Sequence, residues 1–366
     1  MSEHRDRAGS PGRRERAGAN GSGDREVAMP ARVAINGLGR IGRATLRSVL
    51  AEPALEPVAV NDIASADNLA YLLRYDTVYG RAESGIEVSD SAILTQGKRI
   101  TVVNEPDPAR LPWQDLDIDL VFECTGAFRR TVDVVKHLDA GARRAILSAP
   151  AKDELTTVVP GVNSEQVAGE RLVSCASCTT NCVAPVLEVL GRNLGVRKAT
   201  MSTAHAYTSS QHLVDGPAGK RWRRGRAAAA SIVPSTTGAA EAAARVLPAL
   251  TDRFDGVALR VPVAVGSIAD IVCLTERPTD AGQLNELFRA EAASERYSGV
   301  LGVSEEPIVS ADVIADPRAT IVDLTLTTVT DGDLVKVMAW YDNEWGYAQQ
   351  LVRQALAMVG ESATVR

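Results

Sequence analysis

Three of the five cysteines in this chain, Cys175, Cys178 and Cys182, fall in one short run, Ser174-Cys175-Ala176-Ser177-Cys178-Thr179-Thr180-Asn181-Cys182. Several chemistries use grouped thiols. A structural zinc site wants four soft ligands. Only Cys124, Cys273 and four histidines remain to supply them, with no second paired motif. No metal is therefore expected. The Cys175 to Cys178 spacing matches a CxxC redox pair, without the usual context of the thioredoxin-like fold. Buried cysteines also serve simply as small hydrophobes. The hydroxyls of Ser177, Thr179 and Thr180 around Cys178 are poor company for a core. They suit a thiol at a loop-to-helix junction, where the helix dipole lowers its pKa.

A second constellation suits an anion. Strand-like Val33-Ala34-Ile35 runs into Gly37-Leu38-Gly39-Arg40-Ile41-Gly42, and a helix-like segment, Arg43 to Leu50, follows. Glycines at these positions permit a tight turn, close backbone approach to a pyrophosphate and tight helix-on-strand packing, while the helix N-terminus offers unpaired N–H groups. Asp62 ends the next strand at the spacing of a dinucleotide fingerprint. Its carboxylate can accept hydrogen bonds from ribose hydroxyls and would repel a 2′-phosphate. Ile63 brings no compensating charge, so NAD is favoured over NADP.

The elements that must hold these groups divide the chain in two. Short apolar runs, Val33 to Ile35, Val58 to Val60, Leu120 to Phe122 and Ala145 to Leu147, alternate with helix-like segments such as Ala44 to Ala51 and Val132 to Ala140. This is the βαβ rhythm of a parallel sheet. Thr125 and Gly126 follow one such strand and Ser148 another, where doubly wound sheets place cofactor contacts. Beyond about residue 195, apolar and polar residues alternate in 257–261, 269–272 and 320–326, the pattern of a half-exposed antiparallel or mixed sheet. The fold class is α/β: a Rossmann-type dinucleotide-binding domain at 31–177 and an α+β catalytic domain at 178–343. A chain of 366 residues suits two domains.

The net charge of −6 offers no overall attraction to nucleic acid or anionic lipid, so neither is expected as a partner. No apolar run approaches membrane-spanning length. The Arg-, Gly- and Ser-rich stretch 1–30 lacks a signal-peptide core and reads as a disordered tail. Met29, just before the first strand, is a candidate translation start. An odd, small number of cysteines fits free thiols in a reducing, cytoplasmic compartment.

The cysteine run resembles a known family once other motifs are set beside it. Cys178-Thr179-Thr180-Asn181-Cys182, Asn36-Gly37-Leu38-Gly39-Arg40-Ile41-Gly42-Arg43, His205-Ala206-Tyr207-Thr208, Ser235-Thr236-Thr237-Gly238-Ala239-Ala240, Leu259-Arg260-Val261-Pro262 and Trp340-Tyr341-Asp342-Asn343-Glu344-Trp345-Gly346-Tyr347 closely resemble phosphorylating glyceraldehyde-3-phosphate dehydrogenase. The resemblance spans about Ala31 to Met358. It implies that Cys178 is the nucleophile and His205 its partner, an imidazolium that stabilises the thiolate and later acts as general base. It implies that Thr208 and Arg260 face the phosphate of glyceraldehyde 3-phosphate. Ser177, Thr237 and Gly238 would face inorganic phosphate, Arg224 would reach both, and Thr179 would join the substrate contacts. Asn343 would bind the nicotinamide carboxamide, with Tyr347 nearby and Gly37, Gly39, Arg40, Ile41, Gly42, Asp62, Thr125 and Ser148 along the rest of the NAD. The last helix, 344–362, would return to the first domain. A loop carrying Pro217 would act across subunits in a homotetramer.

Three departures bear on this. Cys175 stands where the family typically has Asn, which raises a thiol-switch protein with a Cys175–Cys178 pair as an alternative. The segment Asp215 to Arg226 is one residue longer than usual, so Arg223 or Arg226 could take the place of Arg224. Gly216 precedes Pro217. Erythrose-4-phosphate dehydrogenase shares the cysteine and histidine and is the other alternative, although Thr208 and 236–240 look like the glyceraldehyde branch.

Overall fold

The computed structural model describes residues 29–363. The expected disordered tail and the candidate start at Met29 concern residues 1–28, outside the described residues. In chain order the first half builds β1 (Ala31–Asn36), α1 (Arg40–Leu50), β2 (Leu55–Asn61), α2 (Ala66–Arg74) and a hairpin of β3 (Tyr75–Asp76) and β4 (Gly80–Arg81). There follow β5 (Ile86–Ser89), β6 (Ala92–Thr95), β7 (Lys98–Val103), β8 (Leu120–Glu123), two single-turn helices α3 (Thr131–Val134) and α4 (Lys136–Asp139), β9 (Arg144–Leu147) and β10 (Leu172–Ser174). Helix α5 (Cys178–Leu194) leads into β11 (Val196–Ala206), β12 (Val233–Thr236), α6 (Ala239–Val246), β13 (Phe254–Val261), β14 (Ser267–Thr275) and α7 (Ala281–Ala292). The chain closes with β15 (Leu301–Ser304), β16 (Thr320–Thr330), β17 (Leu334–Tyr341) and α8 (Trp345–Ala363).

The first sheet runs β10-β9-β8-β1-β2-β7-β6-β5. Its first six strands are mutually parallel, and β6 and β5 add an antiparallel edge. The strand order reverses at β1, between β2 and β8. Such a switch point opens a crevice at the carboxyl ends of the strands. The second sheet runs β12-β13-β11-β14-β17-β16-β15 and is mixed, with β11 parallel to β13 and antiparallel to β14. Strand β14 buries every second residue, as its apolar alternation dictates.

Each sheet carries its own core. Val33, Ile35, Leu46, Val60, Leu120 and Phe122 centre the first, and α8 completes it with Tyr347, Leu351, Val352, Ala355 and Met358. Helix α5 lies in the second core through Cys182, Val183, Val186, Leu187 and Leu190. Cys178 packs against both cores, so the nucleophile candidate sits on the seam between the two sheets.

Two expectations need correction. Residues 132–140 do not form one helix: Leu138 donates to Val135 three residues back, which tightens the backbone into separate turns. The half-exposed pattern over 320–326 also fails, because Thr320 to Leu324 are all buried. The polar member, Asp323, is satisfied internally by Thr325 and the Trp340 indole N–H.

Candidate active site

Cys178 is the first residue of α5. The helix starts there because Ser177 caps it, its Oγ accepting from the Thr180 N–H at 3.1 Å. Ser177 Oγ also meets Thr180 Oγ1 at 2.8 Å. His205 stands near the end of β11, and its Nε2 lies 3.5 Å from Cys178 Sγ. The sequence expectation that the helix dipole lowers the thiol pKa is only partly met. Burial pushes the Cys178 thiol up, and the positive charge of Arg260 with the N–H groups of Thr179 and Cys178 draws it back without reversing the sign.

The expected imidazolium is disfavoured by the surroundings of the ring. Burial, then the charge of Arg260, holds His205 neutral with its pKa lowered to about 3. Its other nitrogen, Nδ1, lies 2.7 Å from the Ala206 carbonyl and 2.6 Å from Arg260 Nη1. A carbonyl only accepts and a guanidinium only donates, so Nδ1 satisfies one of them at a time. When Nδ1–H faces Ala206, Nε2 is a free base toward the sulfur. When Nδ1 accepts from Arg260, Nε2 carries the proton and donates to the sulfur. The position of Arg260 therefore selects the tautomer.

Arg260 is brought there by sheet register, since His205 on β11 is paired directly with Arg260 on β13. Its Nη1 also donates to the Ala206 carbonyl at 3.0 Å, and its buried Nε has no partner. Arg224 donates to Ser210 Oγ at 2.8 Å, and Ser210 meets Thr208 Oγ1 at 3.0 Å. Burial and then the charge of Arg260 lower the Arg224 pKa, and the Arg224 charge is felt at His205. Arg226 is instead paired with Asp215 at 3.0 Å and Arg223 is exposed. Two guanidiniums with little counter-charge thus converge beside the thiol, a surrounding that suits phosphate. Thr237 and Gly238 open α6, whose Ala239, Ala240 and Ala243 share a core with α5; Thr237 Oγ1 accepts from Ala239 N at 3.2 Å.

The Thr179 hydroxyl stands between the thiol and the core, its Oγ1 4.0 Å from Cys178 Sγ. It is buried and lies 3.0 Å from the Tyr341 hydroxyl, which also meets Thr203 Oγ1 at 2.9 Å. Tyr341 thereby joins the helix start carrying Cys178 to the strand carrying His205, and its ring meets the His205 ring edge-on.

The glycine loop fits a dinucleotide. Gly37 holds φ +90°, and a Cβ there would stand 2.7 Å from the Thr125 backbone; one at Gly42 would strike the Gly37 carbonyl at 2.0 Å. Gly39 leaves open space, and α1 has no side-chain cap, so its first N–H groups stay available to an anion. Asp62 accepts from Leu38 N at 2.7 Å and Ala64 N at 3.0 Å, one bond per carboxylate oxygen, with lone pairs to spare. Ile63 is 86% exposed and brings no charge. Thr125 is anchored on Glu123, and Ser148 follows β9 half-buried. Asn343 Oδ1 accepts from Gly266 N at 3.2 Å and Ser267 Oγ at 2.9 Å, which orients its amide and leaves the NH2 to donate. The Tyr347 hydroxyl is spent on the Ala176 carbonyl at 2.9 Å, so this residue contributes its ring. The Arg40 guanidinium is engaged by Glu344 and Asp76, which leaves its backbone, with that of Ile41, at the N-terminus of α1.

Sequence reasoning quoted Tyr341, Asp342 and Glu344 without giving them roles, and missed Thr203, Ser210 and Tyr79. Carboxylates flanking Asn343 were a visible signal; the tyrosine and threonine contacts depend on strand register. Cys182 packs in the core with Sγ 3.4 Å from Thr320 Oγ1. Cys175 is wholly buried, and all five cysteines are free thiols. Among the described residues no group of three or more His, Cys, Asp or Glu side chains is placed to hold a metal ion.

Comparison with known proteins matches two segments of the chain. Residues 31–131 match the glyceraldehyde 3-phosphate dehydrogenase NAD binding domain, and residues 177–343 match the C-terminal domain of that enzyme. A Streptomyces coelicolor protein named glyceraldehyde-3-phosphate dehydrogenase is 46% identical over 327 residues, covering 88% of this chain and 97% of the relative. A Mycobacterium avium protein of the same name is 45% identical over 342 residues, covering 91% of this chain and 100% of the relative. With both domain models matched in order and relatives of about 45% identity covering most of its length, the chain belongs to the glyceraldehyde-3-phosphate dehydrogenase family.

Proposed function

We propose that this protein oxidises glyceraldehyde 3-phosphate to 1,3-bisphosphoglycerate, with NAD as oxidant and inorganic phosphate as co-substrate. The observation that carries the residue assignment is the 3.5 Å approach of Cys178 Sγ to His205 Nε2 under two arginines. Once the substrate phosphate engages Arg260 and lifts its charge from His205, Nε2 takes the thiol proton, and the resulting imidazolium stands beside the thiolate. The sulfur attacks the aldehyde carbon, and Nε2–H donates to the oxyanion that forms. Bound NAD supplies the acceptor for the hydride. His205 takes the hydroxyl proton as the hydride leaves, and a thioester on Cys178 results. Phosphate attacks that thioester, and Cys178 departs as thiolate.

Arg260 and Thr208 hold the substrate phosphate, Ser177, Thr237 and Gly238 receive the attacking phosphate, and Arg224 serves both. Arg224 rather than Arg223 or Arg226 is assigned because it alone of the three is half-buried beside Ser210. Along the cofactor, the α1 N-terminus holds the pyrophosphate, Asp62 the adenosine ribose and Asn343 the carboxamide. The cofactor domain comprises 31–177 with 344–362, and the catalytic domain 178–343. The exposed side chains of Leu213, Val214, Trp222 and Ile232 flank Pro217 and support a homotetramer that covers them. Free thiols support a cytoplasmic location. No helix among the described residues is long and apolar enough to cross a membrane.

The test is formation of NADH, followed by absorbance, with NAD or NADP, with glyceraldehyde 3-phosphate or erythrose 4-phosphate, and with or without phosphate. Phosphate-dependent NADH formation from glyceraldehyde 3-phosphate is expected. Its absence overturns the assignment.

A further inference from the structure

Asn343 sits in a three-residue link between β17 and α8, and both of its neighbours are tied to the first domain. Glu344 is gripped by Arg40, whose Nε lies 2.9 and 3.0 Å from the two carboxylate oxygens and whose Nη2 lies 2.5 Å from Oε2. Arg40 also binds Asp76 and lies over the Tyr79 ring, 5.4 Å from its centroid. On the other side, Asp342 accepts from the Tyr79 hydroxyl at 2.9 Å and from the N–H groups of Glu344, Trp345 and Ala315. Asp342 and Glu344 are 1% and 7% exposed. Two buried carboxylates on either side of one amide are costly unless their partners are worth more than packing.

Arg40 is also the first residue of α1, the helix whose uncapped N-terminus faces the pyrophosphate. A fork-to-fork ion pair has fixed length and angle, unlike an apolar contact. We propose that Arg40 is a positioning residue for hydride transfer: through Glu344 it sets the distance between the pyrophosphate cradle and Asn343, so the protein fixes the span of the dinucleotide. This rests on the dehydrogenase reading above. Tyr79, through Asp342, holds the second end of the same link. The nicotinamide ring is then aligned by an ion pair that touches no part of the cofactor with a side chain.

The experiment compares binding of NAD with binding of ADP-ribose, which carries the pyrophosphate and lacks the nicotinamide, by calorimetry on the full chain. In Arg40→Met and Glu344→Gln, NAD affinity is expected to fall about 10-fold while ADP-ribose affinity holds within about twofold, since only the nicotinamide end loses its register. The primary isotope effect with aldehyde-deuterated glyceraldehyde 3-phosphate is expected to rise. Arg40→Lys keeps the charge without the fork and should rescue little. The double variant Arg40→Met/Glu344→Gln, which leaves no charge unpaired at Glu344, should show the same ratio. Equal losses for both ligands in these variants would overturn the proposal, because they would place Arg40 at the pyrophosphate alone. So would unchanged binding and isotope effect. The binding ratio needs no turnover, so it is decided independently of the substrate assignment.

Discussion

Arg260 Nη1 lies 2.6 Å from His205 Nδ1, at the ring nitrogen remote from Cys178. One side chain thus bears on both the tautomer and the basicity of the imidazole. An anion that draws Arg260 aside leaves Nδ1–H to Ala206 and frees Nε2 as base. In the mechanism proposed above, substrate phosphate is such an anion, and the site would gain its base when the substrate arrives.

Replacing Arg260 with Gln removes the charge that helps hold His205 near 3. The imidazole pKa should rise toward its ordinary value. Neutral His205 is the working base, so activity is lost as pH falls through that pKa, and the acid limb of kcat/KM moves to higher pH. A loss of about 10- to 100-fold at neutral pH accompanies this, from the missing charge-assisted bonds to phosphate. A pH–rate profile of the variant checks both; an unmoved acid limb refutes the coupling.

His205 also links stability to pH. The unfolded imidazole titrates near 6.5 and the folded one near 3, so the unfolded chain binds more protons between those values. Folding stability should therefore decline as pH drops from about 6.5 toward 3, and His205→Asn should flatten that part of the curve. Urea unfolding at a series of pH values measures the difference.

Cys178→Ser should lower NADH formation by at least about 1,000-fold, as removal of a covalent nucleophile does. Cys175→Ala should retain activity within about threefold, because its thiol is packed in the first core beside Tyr347 and lies away from solvent. Mild peroxide should inactivate wild type and Cys175→Ala alike, with equal recovery in dithiothreitol. Recovery lost only in Cys175→Ala would instead favour the redox pair.

Tyr341→Phe deletes the hydroxyl shared by Thr179 and Thr203 and leaves two buried hydroxyls without it. A cost of about 1–3 kcal/mol is expected, seen as a lower urea midpoint. The kcat should fall while the KM for NAD is unchanged, since the contact serves the Cys178–His205 pair.

Asp62→Ser should weaken NAD about 10-fold and narrow its advantage over NADP, because in the proposed assignment the carboxylate is both the ribose acceptor and the repulsive element against a 2′-phosphate. Paired KM measurements decide it. Undiminished discrimination would shift the selectivity to another residue, with Pro217 the first to test.

The glycine loop, Asp62, the cysteine run and the two-sheet division were legible in the sequence because each rests on local spacing: a turn, a strand end, a helix start or a period of two. The Arg224 ambiguity was not legible, since a row of arginines looks alike until Asp215 pairs with one and Ser210 with another. The electrostatic surroundings of the catalytic pair were not legible for a related reason. A helix dipole can be read from a cap, but the burial that outweighs it, and the Arg260 charge beside His205, arise only when β11, β13 and α5 meet. Thr179 shows the same limit: its place beside Cys178 was legible, and the contact of its hydroxyl with Tyr341 was not.

Helix α8 closes the first core, although nearly 300 residues separate it from α1, against which it packs. At bacterial or eukaryotic rates of about 5–20 residues per second, the first domain waits on the order of 15–60 s during synthesis for its last wall. Over that interval Leu46, Val49 and their neighbours have no covering helix. The nascent chain is then exposed on a face that the finished enzyme buries, and loss of the last turns of α8 would damage cofactor binding before it touched the catalytic thiol.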